Sequence, residues 1–390
     1  MIKGAYPVAE FESLRTPFYF YDAALLRSTL DDVRRQTARR PDWHVHYAVK
    51  ANFNPVILRI IAEAGFGADC VSGGEVSAAL EAGFAPESIV FAGVGKRDDE
   101  IRLGLEAGIG RFNVESSAEL RVIDELAGSM GKTAPVSLRV NPDVGAHTHA
   151  NITTGLAENK FGIHHSRLGE VVRLAMELPH VDFYGLHFHI GSQILDMSDF
   201  VSLCNRVNAC LEQMDSLGFP VHDVNVGGGL GIEYEHPNHL PEADFEAYFN
   251  VFKKHLPARL PVHFELGRSL VAPCGTLISR VLYVKDGLYR RFAILDGSMT
   301  ELIRPALYHA YHRIENLTSD GPEEKYDVVG PVCESTDVFG KAVMLNECRR
   351  GDLIAIRSAG AYGESMASRY NCRPLPACYV SDTGVGIKEI

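Results

Sequence analysis

No stretch of this chain approaches the roughly 18 consecutive apolar residues that a membrane-spanning helix needs, and the opening MIKGAYPVAEFESL (1–14) lacks the apolar core of a secretory signal. A cytoplasmic protein without membrane contact is the expectation. Basic clusters are missing too: Lys and Arg total 38 against 50 Asp and Glu, a net charge of −12, and no basic run is present to hold a phosphate backbone. Nucleic acid is therefore not an expected partner. The eight cysteines form no CxxC pair and are scattered over a chain too long to need disulfide staples, so most should be buried thiols. Internal repeats and low-complexity tracts are also absent.

What is present is alternation. Short apolar or β-branched runs occur at 45–50 (VHYAVK), 68–71, 88–93, 111–114, 136–141, 183–192 (FYGLHFHIGS), 223–229 (DVNVGGG) and 262–267 (VHFELG), with helical patterns between them. One such helix is well punctuated, with Asn54 as N-cap, Pro55 at the first helical position and Gly65 past the last turn. Eight strands alternating with helices over about 220 residues predict a (β/α)8 TIM-like barrel; an open doubly wound sheet also alternates in this way. After Arg268 the pattern changes to strand-like segments with few helices, which predicts a C-terminal all-β domain. The expected organisation is an N-terminal strand segment (1–25) joining the β domain through TPFYFYD (16–22), a barrel over 26–270 and a β domain over 271–390.

Barrel enzymes carry their chemistry at the C-terminal ends of the strands, which singles out Lys50, His189, the glycines Gly227, Gly228 and Gly229, and Glu265. A glycine run after the seventh strand lets backbone N–H groups approach an anion closely, so a phosphorylated ligand is implied. A lysine facing the barrel mouth, a carboxylate opposite and a phosphate cradle together suit pyridoxal 5'-phosphate. In that reading Lys50 meets the aldehyde and Glu265 keeps the pyridine nitrogen protonated. His189 stacks on the ring, and Ser192 and Arg268 contact the phosphate region. Blander readings stand beside it: a strand-end lysine can be a solvated rim charge, and a glycine triplet a flexible turn. The HFH at 187–189 could be a metal pair. No metal is expected, because no carboxylate or cysteine lies at ligand spacing around it.

Nine motifs in one order then carry a resemblance: HYAVKAN, DCVSGGE, AHTHANITTGLAENKFGI, GLHFHIGSQ, NVGGGLGI, ELGR, RPALYHAYH, GPVCES and AGAYGESMASRYN. The chain resembles the pyridoxal-phosphate-dependent decarboxylases of the alanine-racemase fold over nearly its whole length. Leu266 departs from the EPGR form of the ELGR motif, and Arg369 from the usual residue in SRYN. The resemblance implies that Lys50 carries the cofactor, that Gly267 of ELGR lies in the cofactor site, and that Tyr362 lies near the cofactor phosphate and the substrate. It further implies that Arg268, Arg304 and Tyr308 grip a distal carboxylate of the substrate and that Glu334 meets a distal ammonium. Cys333 is implied as the proton donor, reaching the site from the second subunit of a homodimer.

Guanidinium forks suit a carboxylate and Glu334 suits an ammonium. If Arg268, Arg304 and Glu334 converge, the substrate carries an amino acid at both ends, and the expected reaction is decarboxylation of meso-2,6-diaminopimelate at its D-configured centre to L-lysine and CO2. The alternatives are a sibling decarboxylase acting on ornithine, arginine or carboxynorspermidine, a racemase of the same fold, and a non-catalytic cofactor-binding regulator. The Gly, Thr and Asn content of residues 146–162 is compatible with a mobile lid.

Overall fold

The computed structural model describes residues 6–142, 160–239, 241–382 and 386–390. Residues 146–159, which make up most of the expected lid, lie outside these. Two compact units are formed, one by Leu30–Gly231 with Asp244–Gly267, the other by Met1–Thr29, Ile232–Ala243 and Arg268–Ile390. Among the described residues no helix is long and apolar enough to cross a membrane.

The first strand, β1 (Phe18–Tyr21), belongs to the second unit. In the first unit, β2 (Trp43–Ala48), β3 (Gly67–Cys70), β4 (Ile89–Phe91), β5 (Arg111–Val114) and β6 (Ala134–Asn141) are followed by a two-residue β7 (Ile163–His164) that pairs with β6. Next come β8 (Val181–His187), β9 (Asp223–Asn225) and β10 (Val262–Leu266). The ring runs β5-β4-β3-β2-β10-β9-β8-β6 and closes through β5 and β6, all parallel. The eight strands expected from sequence are therefore the eight staves of a closed barrel. Strands enclosed on both faces are mostly apolar along their length; β3 is buried at all four positions, with Asp69 its one charged residue.

Helices cover the staves, and their starts are set by side chains. Asn54 accepts the Val56 N–H at 3.0 Å and Pro55 supplies a pre-set φ, so the helix Pro55–Glu63 begins where the turn after β2 ends. Ile57, Leu58, Ile60 and Ile61 form its buried face. The seventh strand is shorter than expected. It stops at Asn225 because Gly227 and Gly229 take φ values of +70° and +108°, outside the β region.

In the second unit, β1 pairs antiparallel with β11 (Gly275–Asp286) and parallel with β17 (Ala377–Asp382). The sheet is completed by β12 (Arg291–Leu295), β13 (Ile314–Asn316), β14 (Glu323–Val329), β15 (Val338–Asn346), β16 (Leu353–Ile356) and β18 (Gly386–Glu389). Its core joins Phe11, Phe18 and Phe20 to Ile278, Leu317, Leu353 and Ala355. The Phe11 ring stands edge-on to Phe18 and Phe20 at 5.3 and 5.0 Å between centroids.

One polar chain inside the barrel unit bears on stability. His46 Nδ1 lies 3.0 Å from the Ser88 carbonyl, which can only accept, so Nδ1 carries the proton and Nε2 accepts from His263 Nδ1 at 2.8 Å. His263 in turn lies 3.6 Å from Asp223, which Arg111 also binds at 2.9 Å. Burial first, and then the neighbouring His263, push His46 down to about 3. A histidine of the unfolded chain titrates near 6.5. Between these values the unfolded state binds a proton that the folded state refuses, so stability is lost as pH falls below about 6.5. The expected slope is up to about 1.4 kcal/mol per pH unit for this group. Thermal midpoints between pH 7.5 and 5.0 should fall less steeply for His46→Gln than for the parent, and equal slopes would remove His46 from the account.

Candidate active site

Lys50 sits in the single 3-10 turn Val49–Ala51 directly after β2. The turn is pinned by Tyr47, whose hydroxyl donates to the Asn52 carbonyl at 2.8 Å, and by the Asn54 N–H donating to Asn52 Oδ1 at 2.9 Å. Gly267 packs under it, since a Cβ there would come within 3.1 Å of Ala48 Cβ and 3.2 Å of Ala51 Cβ. The Lys50 side chain is 41% exposed, with Nζ 3.5 Å from an Asp69 side chain that is 1% exposed. Parallel register explains the pairing, because Ala48 of β2 stands beside Asp69 of β3. Neither Asp69 oxygen has a hydrogen-bond partner. Burial and the charge of Glu265 push its carboxyl up to about 8, against the pull of Lys50.

Glu265, on β10, is held by three strands at once. Its Oε1 accepts from Asn113 at 3.1 Å and Asn225 at 2.7 Å, and Oε2 lies 3.1 Å from His187 Nε2. Burial opposes ionisation, yet His187, hydrogen-bonded to it, and the charge of Lys50 hold the carboxyl well below the usual range. The result is a fixed buried anion in the barrel interior. His187, considered with His189 as half of a metal pair, turns its Nε2 to this carboxylate instead.

The glycine run forms a tight cradle. A Cβ on Gly228 would fall 1.8 Å from the Glu265 carbonyl oxygen, and one on Gly229 2.7 Å from that of Gly191. No side chain fits at either position, because the run packs directly on the backbone of Glu265 and Gly191; a loop free of side chains is what close approach of an anion requires. The Gly228 N–H points to His189 Nδ1 at 3.4 Å. Burial, then the charges of Arg139 and Lys50, keep His189 neutral. Ser192 follows in the segment that packs on this run, where the Ile194 N–H donates to the Gly229 carbonyl at 2.9 Å. A half-exposed amine, a buried acid beside it, an anchored carboxylate and a side-chain-free loop fit pyridoxal 5'-phosphate by their donor chemistry. Lys50, His189, Ser192, Gly227, Gly228, Gly229, Glu265 and Gly267 all belong to the barrel unit.

The remaining expected residues, Arg268, Arg304, Tyr308, Cys333, Glu334 and Tyr362, belong to the second unit. Arg304 and Tyr308 bound one short helix, Arg304–Tyr308. Arg268 and Arg304, only 6% and 5% exposed, converge on one phenol: Arg268 Nη1 donates to the Tyr234 hydroxyl oxygen at 2.8 Å and Arg304 Nη1 at 3.1 Å. Arg304 Nη1 also donates to His312 Nε2 at 2.8 Å. The Arg268 guanidinium lies 5.0 Å over the Tyr362 ring. Arg304 has no carboxylate at ion-pair distance among the described residues, and burial and the like charge of Arg268 lower its pKa. Cys333 and Glu334 are exposed, and Glu334 accepts from the Tyr370 hydroxyl at 2.6 Å.

Sequence reasoning missed Asp69, Asn113, Asn225, Tyr234 and His312. For the first a signal was present, an acid within an otherwise apolar strand of the DCVSGGE motif. For Tyr234 and His312 there was none, since aromatic residues next to charged ones are common on any surface.

The chain belongs to the pyridoxal-dependent decarboxylases: the model of that family's pyridoxal binding domain matches residues 26–272. Among individual relatives, it is 60% identical over 383 residues to a diaminopimelate decarboxylase of Bacteroides thetaiotaomicron, spanning 98% of this chain and 99% of that one. It is 42% identical to the diaminopimelate decarboxylase of Zymomonas mobilis, over 93% of this chain and 86% of the relative. The crystal structure of the Helicobacter pylori diaminopimelate decarboxylase complexed with L-lysine superposes with a TM-score of 0.92 at 39% identity, covering 98% of this chain and 95% of that one.

Proposed function

We propose that this protein decarboxylates meso-2,6-diaminopimelate at its D-configured centre, giving L-lysine and CO2 with pyridoxal 5'-phosphate as cofactor. The observation that carries this reading is Arg304, a buried guanidinium without an acidic partner among the described residues, beside a second buried arginine. A buried unpaired charge costs several kcal/mol, and a carboxylate on the substrate's far end relieves it. Ornithine and arginine have only the carboxylate that is lost, so they leave that cost in place.

When bound, the cofactor supplies an aldehyde that an amine can hold and a ring that accepts the electron pair released as CO2 departs. Lys50 would hold the cofactor's aldehyde through its amine, Glu265 would keep the ring nitrogen protonated by that fixed negative charge, and the neutral His189 would hold the ring. The glycine run, with Ser192, Gly267, Arg268 and Tyr362, holds the phosphate region. Arg304, Arg268 and Tyr308 receive the distal carboxylate and Glu334 the distal ammonium. Cys333 Sγ delivers a proton to the carbon that has lost its carboxylate. We assign Cys333 and Glu334 to the site of a second copy in a homodimer, a role to which their exposure is suited.

The test is mass-spectrometric product analysis of the cofactor-loaded protein offered meso-diaminopimelate, ornithine, arginine and carboxynorspermidine in turn. Lysine from the first substrate alone is expected. Turnover of one of the others at a comparable kcat/KM would overturn the two-headed reading of the substrate.

A further inference from the structure

We propose that Tyr234 and His312 are positioning residues that fuse Arg268 and Arg304 into one carboxylate receptor and choose which edge of Arg304 the ligand meets. The inference rests on the reading above that Arg304 receives the distal carboxylate.

Hydrogen counting carries it. An Arg Nη1 has two hydrogens, and on Arg304 both are spent, one on the Tyr234 oxygen at 3.1 Å and one on His312 Nε2 at 2.8 Å. His312 can only accept there. Its Nδ1 lies 2.8 Å from the Arg357 carbonyl, an obligate acceptor, so Nδ1 bears the proton and Nε2 is a lone pair. Burial, then the charge of Arg304, hold the ring neutral by pushing its pKa down to about 3. What remains on Arg304 is the Nε–Nη2 edge, two parallel N–H groups at the spacing of a carboxylate. The Tyr234 oxygen meanwhile accepts from Arg268 at 2.8 Å, holding two like charges at a common point. Burial resists ionisation of this phenol, but the two guanidiniums draw its pKa below the ordinary value. The Tyr234 ring is further fixed edge-on to His312, with centroids 5.2 Å apart. One phenol oxygen and one imidazole lone pair thus set the orientation of both cations before any ligand arrives.

The prediction concerns ligands that have the distal carboxylate and ligands that lack it. L-Lysine has it; 1,5-diaminopentane is the same molecule without it. Calorimetric titration of the cofactor-loaded enzyme should show Tyr234→Phe weakening L-lysine about ten- to hundredfold, the size of a lost hydrogen bond to a charged group. The weaker binding of 1,5-diaminopentane should stay within about twofold. Arg304→Gln should weaken L-lysine by at least as much. If Arg304→Gln weakens L-lysine while Tyr234→Phe does not, the positioning role is overturned and the carboxylate reading stands. If neither does, both fall. Equal weakening of the two ligands by Tyr234→Phe would make the phenol a packing residue and overturn the inference. Should Tyr234→Phe not fold, His312 decides the matter: His312→Gln keeps an acceptor and should retain L-lysine affinity, His312→Leu should lose it, and equal affinities would overturn the proposal.

Discussion

Lys50→Ala is expected to lower decarboxylation by at least about 10³-fold and to remove the long-wavelength absorbance of the lysine-bound cofactor, with the fold retained. The side chain is 41% exposed and is not part of the buried core, so its truncation costs little packing. Lys96 illustrates the contrast: its Nζ is spent on the carbonyls of Gly93 and Asn113 at 3.0 and 2.8 Å and on Glu119 at 2.7 Å, with a side chain only 1% exposed. Asp69, deprived of its cation, should shift further toward the protonated form, since burial and Glu265 already act in that direction. Absorbance spectra and steady-state rates suffice as measurements. Turnover within tenfold of the parent would exclude Lys50 as the cofactor's amine.

Glu265→Gln is expected to lower kcat by about 10²- to 10³-fold, the cost of deleting one preorganised charge from a buried site, while leaving thermal stability nearly intact. The amide oxygen can still accept from Asn113 and Asn225. Its N–H then faces His187 Nε2, and His187 can accommodate it by moving its own proton to Nδ1, which has no partner. Glu265→Ala is a harsher change: it strands two buried amides and a buried imidazole, at about 1–3 kcal/mol each. The informative comparison is therefore kcat against melting temperature for the two variants. A Gln variant with parental kcat would show that the carboxylate's charge is not used.

Both expectations concern residues that stand out in the sequence, set in surroundings that do not. Lys50 was readable because a cation terminating the run VHYAV breaks the pattern of a strand buried on both faces, and the count of eight such runs placed that break at a barrel mouth. Glu265 was readable on the same grounds. The clamp around Glu265 was not. Asn113, His187 and Asn225 come from three strands separated by tens of residues, and a polar residue in a short strand reads the same whether it faces in or out. The same holds for the arginines. Their chemistry suggested a carboxylate, but the sharing of Tyr234 and the acceptor lone pair of His312 emerge only from long-range contacts.

Periodicity, the position of caps such as Asn54 and the spacing of the glycine run are properties of neighbours along the chain, so the sequence by itself determined the eight strands, the succeeding β segments and the candidate amine, acid and phosphate loop. The tertiary structure decided which groups meet and in what state. Closure of the barrel through β5 and β6, the pairing of Asp69 with Lys50, the charge of Glu265 and the proton on His312 Nδ1 each depend on residues distant in sequence. Burial removes water as the alternative partner, and the energy of a charge or a proton is then set by whichever groups the fold has placed within a few ångströms.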